Sequence, residues 1–254
     1  MSSSLEVVPM TDAMDRHIRR DTNNDQAWDF LNGDPEIYQY SDRLIAPGQR
    51  VLDLGCGALR ASALFALNGM EVVGVDVNRA QLNDVEEFAA TYGLTVRTQY
   101  EDIQTFCNTD ISDPYHVVMM AQSTVHAESR DRALDLARAG YSRVAPGGYF
   151  WFRAATTLDG HFEKLRTHRD ARKMEETTYE VPCRCSGVVQ REPVTFLDPL
   201  DIHAQLAQDG ATFVHSQVLP TKGHANIMYG QDFNPGIQVK QGGSVTVLVQ
   251  KPAN

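Results

Sequence analysis

Between residues 50 and 154 the chain alternates short, almost continuous apolar runs with longer stretches whose apolar residues recur every three to four positions. The short runs are Val51–Leu54, Glu71–Val75, Tyr115–Ala121 and Tyr149–Ala154, and with the more polar, β-prone Thr95–Tyr100 they predict five strands. Tyr115–Ala121 is apolar along its length, as a parallel strand buried on both faces should be. The stretches between them predict helices. Leu59, Ala63, Ala66 and Leu67 fall at helical spacing before Asn68-Gly69. Leu82, Val85, Phe88 and Ala89 share one face of Arg79–Thr91, and Ser129–Val144 is amphipathic. Pro146-Gly147-Gly148 predicts a turn into the fifth strand. This rhythm argues for an α/β, doubly wound, mostly parallel sheet with helices on both faces. Ligands of such sheets sit beyond the carboxyl ends of the strands.

The flanks read differently. The first fifty residues are polar and predict short helices at Asp12–Arg20, Asp25–Leu31 and Glu36–Leu44, the last opened by Asp34-Pro35. After the fifth strand, Thr177–Val181 and Val188–Phe196 predict a hairpin turning near Ser186-Gly187. Asp198–Leu206 predicts a helix, and Ala211–Val218 and Ser244–Gln250 predict strands. A long polar loop containing Lys222, His224, Tyr229 and Asp232 joins those two strands. Loops of that length inside compact domains are more often functional than accidental.

Composition narrows the function. With 42% hydrophobic and 22% charged residues over 254 positions, a core can form without disulfide or metal staples. The formal net charge of −10 argues against a nucleic-acid partner and against an anionic membrane surface. No leader and no run long enough to span a bilayer is visible, which predicts a cytoplasmic, reducing compartment. Cys56, Cys107, Cys183 and Cys185 are then expected to be free thiols. Cys183-Arg184-Cys185 lacks zinc-knuckle spacing, so no metal site is expected.

The chemistry concentrates after the first three strands. Val51-Leu52-Asp53-Leu54-Gly55-Cys56-Gly57 runs a buried strand into glycines, which let a ligand approach the backbone closely. Asp76 ends the second strand, where a carboxylate can accept hydrogen bonds from both hydroxyls of a ribose, or else cap a helix. After the third strand, Asp102 could accept from an exocyclic amine while the Ile103 N–H donates to a ring nitrogen, together reading an adenine. Alone, Asp102 would read as a surface carboxylate. A dinucleotide site would need G-x-G-x-x-G, and the sixth position here is Arg60.

In order and at matching spacing, VLDLGCG (51–57), VVGVD (72–76), EDI (101–103), VVMMAQSTVHA (117–127) and VAPGGYF (144–150) resemble a class I S-adenosylmethionine-dependent methyltransferase. Arg60 and the segment Phe65–Gly69 are similar to the tellurite-resistance branch of small-molecule methyltransferases. The resemblance implies a Rossmann-like, seven-stranded sheet with N-terminal helices and a hairpin insertion after the fifth strand. It implies a cap segment at 1–49 and a methyltransferase domain at 50–254, with 155–197 and 220–236 as acceptor-side insertions. It also implies S-adenosyl-L-methionine as cofactor and S-adenosyl-L-homocysteine as product. Asp53, Gly55 and Gly57 would line the methionine end, with Asp53 meeting the ammonium directly or through water. Asp76 would hold the ribose, Val77 would pack on the adenine face, and Asp102 and Ile103 would read its edge. Ala121 and Gln122 would meet the ligand after the fourth strand. Two residues depart from the pattern. Leu59 stands where the family often has a third glycine, which implies a tighter turn or a reshaped methionine pocket. His116 replaces an acid at the start of the fourth strand.

Methyl transfer from a sulfonium mainly requires nucleophile, methyl and sulfur in line, and a base only when the acceptor is protonated. His126 is the candidate catalytic residue, with a packing or helix-capping role as the alternative. Ser123 and Gln122 would orient the acceptor. Tyr38, Tyr40 and Trp28 are candidates for the acceptor side. Tyr38 and Tyr40 lie two apart, so on a helix at most one faces the ligand. His161, Tyr179, His224 and Tyr229 are weaker candidates for the same wall. A small-molecule acceptor is expected, and the oligomeric state stays open. A cofactor-binding protein without transferase activity and an NAD-dependent oxidoreductase are the alternatives.

Overall fold

The computed structural model describes residues 7–8, 39–59, 62–110, 113–185, 188–220 and 243–253. The elements in chain order are α1 (Ser41–Leu44), β1 (Arg50–Leu54), α2 (Ala63–Leu67), β2 (Glu71–Asp76), α3 (Arg79–Tyr92) and β3 (Val96–Tyr100). Then come α4 (Ile103–Thr109), β4 (Tyr115–Ala121), a 3-10 turn (Ser123–His126), α5 (Arg130–Ser142), β5 (Val144–Ala155) and α6 (Gly160–Thr167). The chain finishes with β6 (Arg172–Lys173), β7 (Thr178–Cys185), β8 (Val188–Thr195), α7 (Pro199–Gln208), β9 (Thr212–Pro220) and β10 (Gly243–Gln250). A seven-stranded sheet runs in the order β3-β2-β1-β4-β5-β10-β9, and a second sheet in the order β6-β7-β8. β1, β2, β3 and β4 pair in parallel, whereas β9 and β10 pair antiparallel. This is the Rossmann-like α/β sheet that the alternating pattern anticipates. None of the helices among the described residues is long and apolar enough to cross a membrane.

The described residues form two compact units. The first holds those up to Ala121, together with Ala139–Phe150 and the end of the chain from Lys251. Its core is the strand material itself: Val51, Leu52, Leu54, Val72, Val75, Val117, Val118, Met119 and Met120 are all buried. Helix α3 starts on Asn78, whose side chain accepts from the Gln81 amide, and stops at Gly93, which takes a left-handed φ of +64°. Arg143 pairs with Asp110 at 2.7 Å, and the Tyr115 hydroxyl donates to the same carboxylate at 3.1 Å. That cluster anchors the amino end of β4, away from the strand tips.

The second unit comprises Gln122–Arg138 and Trp151–Gln250. β7 and β8 form the expected hairpin, and Ser186-Gly187, where it was expected to turn, lies outside the described residues. Val125, Ala155, Phe162, Leu165, Tyr179, Val181, Val194 and Phe196 pack into one buried cluster. Tyr179 thus belongs to this core, with its ring edge-on to Phe162.

Three details differ from the pattern-based expectation. Leu59 fits the helical spacing but lies in a turn with φ +61°, and α2 begins only at Ala63. Pro146-Gly147-Gly148 is not a turn before β5 but lies within it. Gly147, at φ +76°, donates to the Lys251 carbonyl while the Lys251 amide donates to the Gly148 carbonyl, so these backbone bonds hold the glycine pair within the strand. Helices α4 (Ile103–Thr109) and α6 (Gly160–Thr167) are short, about two turns each, and escape the sequence reading. The expected helices at 12–20 and 25–31 lie outside the described residues, as do Trp28, Tyr38 and the 221–242 part of the long loop.

Candidate cofactor corner and acceptor turn

The first unit brings the glycine turn against the end of β2. Gly55 and Gly57 have positive φ of 74° and 50°, conformations that side chains with a Cβ rarely adopt. The Gly55 and Cys56 amides both donate to the Val75 carbonyl, at 2.8 and 3.1 Å. The Gly57 amide donates to Oδ2 of Asp76 at 2.8 Å, and the Asn78 amide donates to its Oδ1 at 2.8 Å. Asp76 is therefore oriented from both sides by backbone N–H groups. Each oxygen keeps acceptor capacity for a further donor, because a carboxylate oxygen carries two lone pairs.

Asp53 sits within β1 and is 2% exposed. The Ser62 hydroxyl donates to its Oδ2 at 2.5 Å. Burial pushes its carboxyl up to about 7, the Ser62 hydrogen bond works against that, and the nearby Asp76 charge adds to it. A buried acid balanced near neutrality suits a ligand cation such as an ammonium. Cys56 is a buried free thiol, held well above its ordinary value by burial and by the charges of Asp53 and Asp76. Cys107 is likewise free and buried, pushed up to about 12 mainly by burial, and neither thiol is a nucleophile at neutral pH. The side chains of Cys183 and Cys185 lie outside what the structure describes.

Val77 follows β2 and is 65% exposed, an apolar side chain left open at the strand tips. Tyr100 ends β3, also exposed, with the Arg79 guanidinium 4.6 Å from its ring centre. Asp102 caps α4: its Oδ1 accepts from the Gln104 and Thr105 amides at 2.9 and 3.1 Å. Ile103 opens that helix and is half-buried. The capping role accounts for one oxygen of Asp102. Ala121 closes β4 and is half-buried.

In the second unit the chain leaves β4 through a strained residue. Gln122 has φ +61° and ψ 4°, a left-handed conformation unusual for a side chain of its kind. Its amide donates to the Arg153 carbonyl at 2.8 Å and its Nε2 donates to Ser244 Oγ at 2.5 Å. Among the described residues its Oε1 is buried without a hydrogen-bond partner. Backbone strain and an orphaned polar atom tend to gather at ligand sites. Ser123 begins the 3-10 turn and is half-buried, Thr124 and Val125 are buried, and His126 ends it. His126 is 58% exposed, with Nδ1 3.9 Å from Oε2 of Glu192 on β8. Tyr40, in the first unit, precedes α1 and is half-buried, with Arg43 6.0 Å above its ring. His116 offers Nε2 to the Arg43 carbonyl at 3.2 Å and stands edge-on to Tyr149, a structural use. Among the described residues no group of His, Cys, Asp and Glu is placed to hold a metal ion.

Sequence reasoning missed two partners, Ser62 and Glu192. Ser62 follows Asp53 by nine residues, with no periodic signal linking them. Glu192 lies on a distant strand, and only tertiary structure brings it to His126.

Residues 51–148 match the family model described as a methyltransferase domain. The ubiquinone biosynthesis O-methyltransferase of Pseudomonas savastanoi pv. phaseolicola is 28% identical over 111 residues, which cover 44% of this chain and 46% of that protein. The match thus spans less than half the length of that relative. A solved S-adenosylmethionine-dependent methyltransferase from Methanosarcina mazei superposes with a TM-score of 0.64 at 15% identity, covering 87% of this chain and 98% of that one. TehB from Haemophilus influenzae superposes with a TM-score of 0.59 at 18% identity, covering 94% of this chain and 67% of that one. At such identities the two structures speak to fold alone.

Proposed function

We propose that this chain, whose residues 51–148 carry a class I S-adenosylmethionine-dependent methyltransferase domain, transfers a methyl group to a small-molecule acceptor by in-line displacement. The observation that carries the reading is the corner itself. A buried acid near neutrality lies on β1, beside a glycine turn whose amide is tied to the carboxylate ending β2.

Bound at the tips of β1 to β3, the cofactor would supply a methyl on a sulfonium, a leaving group already activated by its charge. Asp53 would receive the ammonium of its amino-acid end. Gly55 and Gly57 would let that end approach the backbone. Asp76 would accept from the ribose hydroxyls through lone pairs not used by Gly57 and Asn78. Val77 would cover one face of the adenine, with the Ile103 amide and the second oxygen of Asp102 toward its edge. Ala121, Gln122 and Ser123 would border the transferring group, and His126 would take a proton from the acceptor. Tyr38 and Tyr40 remain proposals for the acceptor side.

The net charge of −10 and the relative's printed activity, an O-methyltransferase of ubiquinone biosynthesis, both favour a small acceptor over a nucleic acid. Isothermal titration with S-adenosyl-L-homocysteine and with NAD tests the assignment. We expect binding of the first and none of the second. Asp76→Ala should weaken S-adenosyl-L-homocysteine by about 1.5–3 kcal/mol, roughly ten- to a hundredfold in Kd. A screen of phenols, thiols, amines and chalcogen oxyanions with labelled methyl donor identifies the acceptor. Binding without turnover on any of them would make the chain a cofactor-binding protein instead.

A further inference from the structure

We infer that Ser62 is a positioning residue for Asp53, holding one oxygen of that buried carboxylate so that the other is offered to the cationic amino end of the cofactor. The inference rests on the methyltransferase reading above and deepens it. Both residues belong to the first unit, and both are buried. Ser62 immediately precedes α2, where a serine ordinarily accepts from a backbone amide of the first turn. Here its side chain makes no such bond. Its backbone is already helical, at φ −91° and ψ −11°, and its hydroxyl donates to Oδ2 of Asp53 at 2.5 Å. A serine that gives up its local role for a distant carboxylate breaks a sequence rule of the kind that functional sites break. Among the described residues Oδ1 of Asp53 has no hydrogen bond.

The surroundings of Asp53 make that hydroxyl matter. Its register partners are Gly74 on β2 and Met119 on β4, neither of which titrates. Glu71, at the other end of β2, pairs with Arg97. Tyr115 and His116, at the amino end of β4, are engaged by Asp110 and by the Arg43 carbonyl. Helix α2 carries no titratable side chain. Among the described residues, the titratable groups that act on Asp53 or are acted on by it are therefore the Asp76 carboxyl and the Cys56 thiol. The thiol is neutral, and the Asp76 charge opposes ionisation of Asp53. Burial opposes it more strongly, and the Ser62 hydroxyl works in the other direction.

A donated hydroxyl favours the charged form of a carboxylate, and an ammonium supplies the opposite charge that the site otherwise lacks. With Oδ2 held by Ser62, the ammonium meets Oδ1. The proton of a neutral Asp53 then leaves to solvent as the ligand enters. Ser62 thereby sets the pH above which the amino end of the cofactor is taken up at full strength. It has no corresponding influence on the adenosine end, which Asp76 and its backbone donors serve.

Calorimetric titration of the full chain between about pH 6 and about pH 9 tests this. Two probes are compared: S-adenosyl-L-homocysteine, and methylthioadenosine, the nucleoside thioether without the amino-acid end. In the wild type, affinity for the first should rise with pH and level off, and affinity for the second should stay flat. Ser62→Ala removes the hydroxyl but no capping bond, and alanine is the better helix former. It should move the midpoint of the rise up by about half a pH unit or more. S-adenosyl-L-homocysteine should then bind about three- to tenfold more weakly near pH 6 and within about twofold of wild type near pH 9. Methylthioadenosine should stay within about twofold throughout. Proton release on binding S-adenosyl-L-homocysteine near pH 7 should increase. Ser62→Thr, which keeps the hydroxyl, should return midpoint and proton release toward wild type. A midpoint and proton release unmoved by Ser62→Ala overturn the inference, and so does an equal loss of both probes at every pH, which would mark Ser62 as merely structural. A wild type that binds neither probe sinks the methyltransferase reading itself. One that binds both without pH dependence keeps that reading and removes the role given to Ser62.

Discussion

The Ser62 hydroxyl donates to Oδ2 of Asp53 at 2.5 Å inside a site that is otherwise dry enough to hold that carboxyl near a pKa of about 7. One hydrogen bond offsets only part of the cost of burying the charge. In the unfolded chain an Asp titrates near 3.9. Between about pH 4 and pH 7 the folded protein therefore binds a proton that the unfolded chain has lost. Stability from this group is complete below the lower value, declines as pH rises through the higher one, and is flat above it. The span is worth roughly 4 kcal/mol. Asp53→Asn keeps an acceptor for Ser62 and removes the titration. Its stability in urea should fall less between pH 5 and pH 8 than that of the wild type; parallel curves for the two proteins would contradict the assignment.

The same site links pH to ligand. A cationic amino group beside Asp53 favours the ionised carboxylate, so S-adenosyl-L-homocysteine should bind more tightly as pH rises from 6 to 8. Calorimetry in buffers of different ionisation enthalpy should register proton release near pH 7. In Asp53→Asn the affinity should be weaker and nearly independent of pH over that range.

Leu59 occupies a left-handed turn with its side chain wholly buried, its Cδ1 3.1 Å from where a Cβ on Gly74 would stand. Two opposing effects meet at one residue. The backbone would prefer glycine by about 1–2 kcal/mol, while truncating a buried leucine costs about 2–5 kcal/mol. Packing prevails, which is why a leucine can stand there. Both Leu59→Ala and Leu59→Gly should destabilise, but the glycine variant should be the more stable by about 1 kcal/mol, the reverse of the usual order. Thermal melts of the pair decide it.

Gly148 admits no side chain. A Cβ there would lie 2.7 Å from the His116 carbonyl oxygen and 3.0 Å from that of Ala145, both backbone atoms that cannot swing aside. Gly148→Ala should destabilise by about 1–3 kcal/mol or more. A melt unchanged from wild type would show that the two segments sit further apart than described.

Thr195 joins the hairpin to the turn that carries His126. Thr195→Val keeps its shape but leaves the Ala127 carbonyl and the Thr178 hydroxyl without this partner. A loss of about 1–3 kcal/mol is expected, with faster amide exchange in Ser123–Ala127 measured by mass spectrometry. Unaltered exchange there would mean that the hydroxyl does not hold the turn.

Much of this molecule was determined by its sequence. Strand and helix positions in the parallel half follow from apolar period, because a strand buried on both faces must be apolar throughout and a covering helix apolar on one side. β4 occupies the very span Tyr115–Ala121 that its run of apolar residues marks. The glycine turn and the acid ending β2 were legible because each depends on neighbours in the chain. Other features were decided only by the tertiary structure. Leu59 looks helical by spacing, yet the packing of its side chain near Gly74 accompanies a left-handed turn. The Pro146-Gly147-Gly148 segment looks like a turn, yet Lys251 from the far end of the chain draws it into β5. Burial moves Asp53 to neutrality, and a strand more than sixty residues away brings Glu192 to His126. Local sequence sets backbone preference and hydrophobic period, whereas burial and charge pairing depend on what the folded chain places alongside, which no short window of residues contains.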